Sequence, residues 1–204
     1  MQPEAATLRF AVAPRAGLLA DVVLVCAGAG LVALAAQVSI HLGFTPVPIT
    51  GQTFAVVLVG ASLGSIRGTA SLLLYLVVGL AGAPVYAGHA HGWEVFSGAT
   101  GGYIVGFVAA AALTGLLAER QLDRRVSTSI SAMLNGNVLI YVFGLVWLHH
   151  SLHASWATTL TDGLYPFVAG DVIKLYLAAL ALPGAWRIVG RVSRSAGAGP
   201  RTGR

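Results

Sequence analysis

Charge is scarce in this chain. Only 9% of its 204 residues are Asp, Glu, Lys or Arg, against about 25% in an ordinary soluble domain. So little polar side chain cannot coat a surface in water, and a soluble globular fold is excluded. Cysteine is almost missing as well. Cys26 stands alone, which rules out an intramolecular disulfide framework. Lysine occurs once, at Lys174, so there is no G-x-x-x-x-G-K-[ST] loop to cradle a nucleotide phosphate, and the chain cannot hydrolyse ATP by that route. The net charge of +5 does not point to nucleic acid, because the basic residues are not interleaved with aromatics. No hydrophilic stretch is long enough for a separate soluble domain, so residues 1–204 are expected to form a single membrane domain.

What the chain has in plenty is apolar sequence: 56% of residues are hydrophobic and the mean hydropathy is +0.80. A membrane helix needs about 20 mostly apolar residues to cross a core about 30 Å thick. Six segments are expected to do so, at roughly 17–40, 51–66, 68–82, 99–118, 127–149 and 166–188, with a flexible tail over 189–204. Arg9, Arg15 and the small residues of "CAGAG" (26–30) imitate a cleaved signal. Val25 is too bulky for a lipoprotein site and five apolar segments follow, so the first run is read as a span. The second and third segments are divided by "SIRG", read as a tight surface turn carrying Arg67.

The distribution of charge orients this frame. Eleven of the twelve basic residues fall on the N-terminus, the turn near Arg67, the 119–126 loop and the C-tail. Loops 41–50, 83–98 and 150–165 hold no Lys or Arg at all. Cytoplasmic loops accumulate Lys and Arg, so the sequence predicts an all-α, six-helix bundle with both termini cytoplasmic. The six histidines gather on the opposite side, where a polar interface suits them. His149, His150 and His153 do not complete a tetrahedral metal set at recognised spacing.

The twelfth basic residue is Lys174, inside the last apolar segment with Asp171. Residues three apart share a helix face, and a central charge costs roughly 2.5–3.5 kcal/mol on translocon scales. Three readings follow: an ion pair pinning two helices, a binding site for a partly anionic solute, or a proton relay. The relay needs another buried acid, and Asp21 is the only other candidate. Interhelical polar contacts average only about 0.6 kcal/mol in one membrane protein, which favours the binding site. Asn137 and Tyr141, four apart on the fifth segment, share a face and are candidates for the same cavity, as is Gln52 at the start of the second. Small residues at four-residue spacing (Gly60, Gly64 and Gly68; Gly98, Gly102 and Gly106; Ala29 and Ala33) allow close helix approach.

Three stretches resemble a known family. "FTPVPITGQTF" with the later "GASLGSIRG" is similar to a P-V-P-(I/V)-T-x-Q-T-F region and its G-x-x-x-G-x-x-R-G turn. "SGATGGYIVGF" resembles G-P-T-G-G-Y-x-x-G-F, and "FVAGDVIKLYLAAL" a P-G-D-x-x-K helix. The family is BioY, the biotin-binding substrate component of energy-coupling-factor transporters, and the likeness covers roughly residues 16–190. The resemblance implies a biotin pocket open to the outside, with Lys174 pairing the valerate carboxylate and Asp171 accepting from the ureido N–H groups. Trp93, Tyr103 and Tyr141 are the implied aromatic walls. It also implies a transmembrane coupling subunit and two ATPase subunits as partners, with Ala29 and Ala33 at the docking surface, in a bacterial or archaeal cell membrane. Ala99 replaces the family's proline, and "GHAHGWE" is more polar than its glycine-rich loop. The alternative is an autonomous carrier for biotin or another carboxylated solute. An enzyme would bring a nucleophile, base and orienting group into one cavity; no such set is present, and neither catalysis nor a cofactor is expected.

Overall fold

The computed structural model describes Thr7, Leu8, Ala11 and residues 17–197. It is built of helices. In chain order they are α1 (Leu18–Gln37), α2 (Gln52–Leu63), α3 (Ser65–Leu80), α4 (Gly92–Ser97), α5 (Gly101–Glu119), α6 (Val126–Leu152), α7 (Trp156–Gly163) and α8 (Tyr165–Gly197). A two-stranded antiparallel hairpin, β1 (Ser39–Ile40) and β2 (Ile49–Thr50), lies between α1 and α2, with Ser39 opposite Thr50 and Ile40 opposite Ile49.

The six expected segments all appear as helices. Four of them, α1, α5, α6 and Tyr165–Val189 of α8, are long and apolar enough to cross a membrane. The other two, α2 and α3, have 12 and 16 residues, or about 18 and 24 Å at 1.5 Å per residue, which is short for a bilayer core. The break between them is also not where "SIRG" placed it. It falls at Gly64, with φ +86° and ψ 174°, a conformation that costs a residue without Cβ little. Ser65, Ile66 and Arg67 are already the first turn of α3. Its exposed N-terminus is capped from another helix: Glu119 Oε1 accepts from Ser65 N at 2.7 Å and Ser65 Oγ at 2.9 Å. A carboxylate at a helix start satisfies free N–H groups and suits the dipole.

α5 is the most buried of the long helices and α1 the least. α5 packs chiefly on α6 and also on α2 and α3; α8 lies against α6, α2 and α7. Missing side chains let the backbones meet. A Cβ added to Gly60 would stand 2.6 Å from Ala111 O and 2.8 Å from Ala111 Cα, so α2 and α5 touch backbone to backbone there.

One further expectation changes. α8 stays helical through Gly197, so the first part of the segment read as a flexible tail continues the helix; residues 198–204 lie outside the described residues. Pro183 sits inside α8, where it withholds one N–H from the helix ladder. Beyond it Trp186 Nε1 donates to Asp123 Oδ2 at 2.5 Å, with the Arg124 guanidinium 4.1 Å from the indole centre. Burial holds the Asp123 carboxyl above the usual carboxylate range, against the lowering effect of the Trp186 bond.

The contacts sort the connections into two ends. At one end, Asp21 pairs with Arg67 at 2.7 Å, Glu119 caps α3, and Asp123 holds Trp186. At the other, Thr45 donates to Asp162 O at 2.6 Å and Gln37 Nε2 to Tyr86 O at 3.2 Å. The three loops without Lys or Arg therefore come together at the second end.

Candidate functional site

At that second end the helices enclose a cavity of about 210 Å³, smaller than the roughly 300–1,000 Å³ of sites for drug-sized ligands. Its walls are Tyr103, Ile104 and Phe107 of α5, Ile140 and Tyr141 of α6, and Phe167 of α8. The β1–β2 hairpin contributes His41, Pro46, Val47 and Pro48, and the segment after α3 contributes Tyr86, Ala87 and Ala90. Polar groups converge at one place: Gln52 and Thr53 at the start of α2, with Asp171 and Lys174 of α8.

The Asp171 carboxylate is 4% exposed and receives four donors. Oδ1 accepts from Lys174 Nζ at 3.0 Å and Thr53 Oγ1 at 3.2 Å. Oδ2 accepts from Asn137 Nδ2 at 3.2 Å and from the Tyr141 hydroxyl, a short bond. Lys174 Nζ also reaches Thr53 Oγ1 at 3.4 Å. A buried charge is tolerable only when it is paired and its remaining lone pairs are used; this one meets both conditions. The chemistry left facing the cavity is an acceptor, Oδ1, beside a donor, Nζ, with a hydroxyl that can do either.

The shared face of Asn137 and Tyr141 thus meets Asp171 from α6. Asn137 itself is 6% exposed and lies behind the cavity wall, where it positions the carboxylate. Tyr103 lines the cavity, and its hydroxyl donates to Gly163 O at 2.8 Å, tying α5 to the end of α7. Tyr103 and Tyr141 meet edge to face, with ring centroids 6.4 Å apart. Trp93 is placed elsewhere. It is 67% exposed on α4 and its ring packs on Phe96, 5.3 Å away. The short helix α4 turns it outward, so the expected third aromatic wall is supplied by Phe167 instead. Ala29 is 8% exposed and belongs to the core, with Ala33, partly buried, packed against that core. Ala29 lets α1 close on its neighbours, while Ala33 keeps part of its surface exposed.

Lys174 Nζ and Asp171 Oδ1 lie 3.0 Å apart and bonded to each other. They form one polar point. Asp21, the acid a proton relay would need, is paired with Arg67 at the far end of the bundle. His149 stacks on Trp156 with centroids 4.1 Å apart, and among the described residues no group of three His, Cys, Asp or Glu converges as a metal site would.

Sequence reasoning missed Thr53 and the hairpin. Thr53 lies in "PVPITGQTF", so the motif held the signal, but nothing in its spacing announces a contact with a residue 118 positions away.

Comparison with known proteins now decides the affiliation. The family model described as BioY family matches residues 5–191. This chain belongs to the BioY family. Among its BioY relatives, a Rhizobium etli protein described as biotin transporter BioY is 37% identical over 157 residues, covering 74% of this chain and 83% of that protein. A Thermotoga maritima protein of the same description is 37% identical over 150 residues, covering 74% and 86%. A crystal structure of the S-component for biotin from an ECF-type ABC transporter superposes with TM-score 0.75 at 25% identity, covering 83% of this chain and 92% of that one. BioY membership with four long apolar helices makes this a multi-pass membrane protein of a transporter family.

Proposed function

We propose that this BioY-family protein captures biotin from outside the cell and serves as the substrate-binding subunit of an energy-coupled importer. The observation that carries the reading is the Asp171–Lys174–Thr53 cluster buried at one point of an otherwise apolar and aromatic cavity. A cyclic urea presents an N–H donor beside a C=O acceptor. Asp171 Oδ1 and Lys174 Nζ offer the complementary acceptor and donor side by side, and the pair together is neutral, as the urea is. The fused rings then lie against Tyr103, Tyr141, Phe107 and Phe167. Biotin's carboxylate is separated from its urea by those rings and the whole valerate chain, so it points toward the cavity mouth. This departs from the carboxylate role first expected of Lys174 and keeps Asp171 as the group that accepts from ureido N–H.

Six spans with cytoplasmic termini remain the topology that best suits the charge pattern. The loops free of Lys and Arg meet at the cavity end, and the Arg-bearing segments meet at the other. By the positive-inside rule the cavity then faces outward. α2 and α3 reach across as short helices extended by the hairpin and by the loop after Leu80. Without a phosphate-binding loop the chain needs a partner to move solute uphill, which supports a transmembrane coupling subunit with two ATPase subunits. The coupling subunit would rest on α1, where Ala33 is partly exposed and Val23, Leu31 and Leu34 are exposed.

Calorimetric titration of the purified protein with biotin, and with thiamine and riboflavin as unrelated vitamins, tests the assignment. Saturable binding of biotin alone is expected. No binding of biotin, or equal binding of all three, contradicts it. Labelled biotin uptake by liposomes containing only this chain would favour the autonomous carrier.

A further inference from the structure

If Lys174 is spent on Asp171, the cavity needs another group for the carboxylate end of its ligand. Of the residues that line it, only Lys174 and His41 can carry positive charge. His41 follows β1 and is exposed at the solvent side, whereas Asp171 is 4% exposed at the closed end. Its ring lies beside Gly88: a Cβ built there would be 3.4 Å from His41 Cε1 and 3.9 Å from Nε2. Gly88 in turn sits in a turn with φ +65°, tied down by His89 N donating to Gln37 Oε1 at 3.1 Å and by Gln37 Nε2 donating to Tyr86 O. On the other side the hairpin register and the Thr45–Asp162 bond fix the strand from which His41 projects. His41 thus lines the cavity from its solvent side, and the absence of Lys and Arg from loops 41–50, 83–98 and 150–165 leaves no permanent cation on those loops to compete with it.

We propose that His41 is an anion subsite at the cavity mouth, which takes the carboxylate of the captured ligand and makes capture depend on pH. The proposal rests on the biotin reading above and deepens it. A valerate carboxylate is ionised throughout the range in which histidine titrates, about pH 5.5–8. Imidazolium donates a charge-assisted hydrogen bond to it, whereas neutral imidazole offers at most an uncharged one. The attraction is therefore present below the histidine transition and is lost as pH rises through it. The titratable groups on the elements that frame the mouth are Tyr86 and His89 on the turn beneath the ring, His91 and Glu94 at α4, Asp162 at the end of α7, and the Asp171–Lys174 pair at the closed end. Glu94 and Asp162 are acids and cannot supply an attraction for a carboxylate. His89 and His91 are the groups from which His41 must be distinguished.

The test is affinity for biotin and for biotin amide, which lacks the negative charge, at pH 5.5, 6.5 and 8, in the wild-type protein and in His41→Gln, His89→Gln and His91→Gln. Melting temperature reports folding of each variant. For the wild type a roughly three- to tenfold tighter binding of biotin at pH 5.5 than at pH 8 is expected, with no such slope for the amide. His41→Gln should flatten the biotin slope, while His89→Gln and His91→Gln keep it. A slope that survives His41→Gln, that disappears in His89→Gln or His91→Gln, or that the amide shares overturns the subsite. Failure of both ligands to bind at any pH overturns the biotin reading and the subsite with it.

Discussion

Asp171→Asn lowers biotin affinity by roughly tenfold to a hundredfold in a protein that still folds. The substitution preserves shape but removes the charge on which four donors converge: Lys174, Thr53, Asn137 and Tyr141. Removing one member of a buried ion pair typically costs about 3–5 kcal/mol, because the other charge is left uncompensated. The Lys174 side chain is 20% exposed, so water relieves part of that cost and the low end applies. That penalty falls on the free protein; the affinity loss comes from the ureido N–H losing a charged acceptor, about 1.5–3 kcal/mol, or roughly one to two factors of ten. The penalty itself will appear as a lower melting temperature of the free protein. The double variant Asp171→Asn with Lys174→Met separates the two effects, since it leaves no unpaired charge. It should recover stability without recovering biotin binding. Recovery of both would make the pair a structural brace and nothing more, and an affinity within twofold of wild type in the single variant would remove Asp171 from the site.

Gly60→Leu is expected to destabilise the fold strongly. Its Cβ would stand 2.6 Å from Ala111 O and 2.8 Å from Ala111 Cα, both backbone atoms of α5, and 2.3 Å from Thr114 Oγ1. Backbone cannot rotate aside as a side chain can, so α2 must move off α5. Forcing extra atoms into a close-packed site costs about 1–3 kcal/mol and more where nothing yields. A fall in melting temperature on the order of 10 °C follows for a chain of this size, with loss of biotin binding, because Gln52 and Thr53 at the start of α2 line the cavity. Gly30→Leu is the control: no atom lies within 4 Å of its added Cβ. Equal melting temperatures for the two variants would mean that α2 and α5 are not in the contact described.

The helices were legible because hydropathy alone marks an apolar run of membrane length, and their approximate limits follow from where Gly, Pro and charge interrupt it. The break between α2 and α3 was displaced because "SIRG" contains the visible charge, while the residue that bends the chain is Gly64, which has no side chain to betray it. The hairpin was invisible: each strand is two residues long, too short for an alternating pattern to register. The Asp171–Lys174 pair stood out because charge is so rare, and the spacing of Asn137 and Tyr141 pointed to one face. Spacing could not reveal that the same face meets Asp171 across the bundle. Nor could it show that Ala29 packs into the core. α1 is apolar all round, so no polar stripe indicates which side meets protein and which meets lipid. Trp93 failed for a related reason. A tryptophan in a loop is as suited to the membrane interface as to a ligand wall, and only the turn of α4 decides between them.

A structure of this protein with biotin bound tests the account most directly. The ureido ring is expected within hydrogen-bonding distance of Asp171 Oδ1, Lys174 Nζ and Thr53 Oγ1, with the carboxylate at the mouth beside His41. Biotin in the reverse orientation, its carboxylate on Lys174, or biotin bound anywhere outside this cavity, would contradict it.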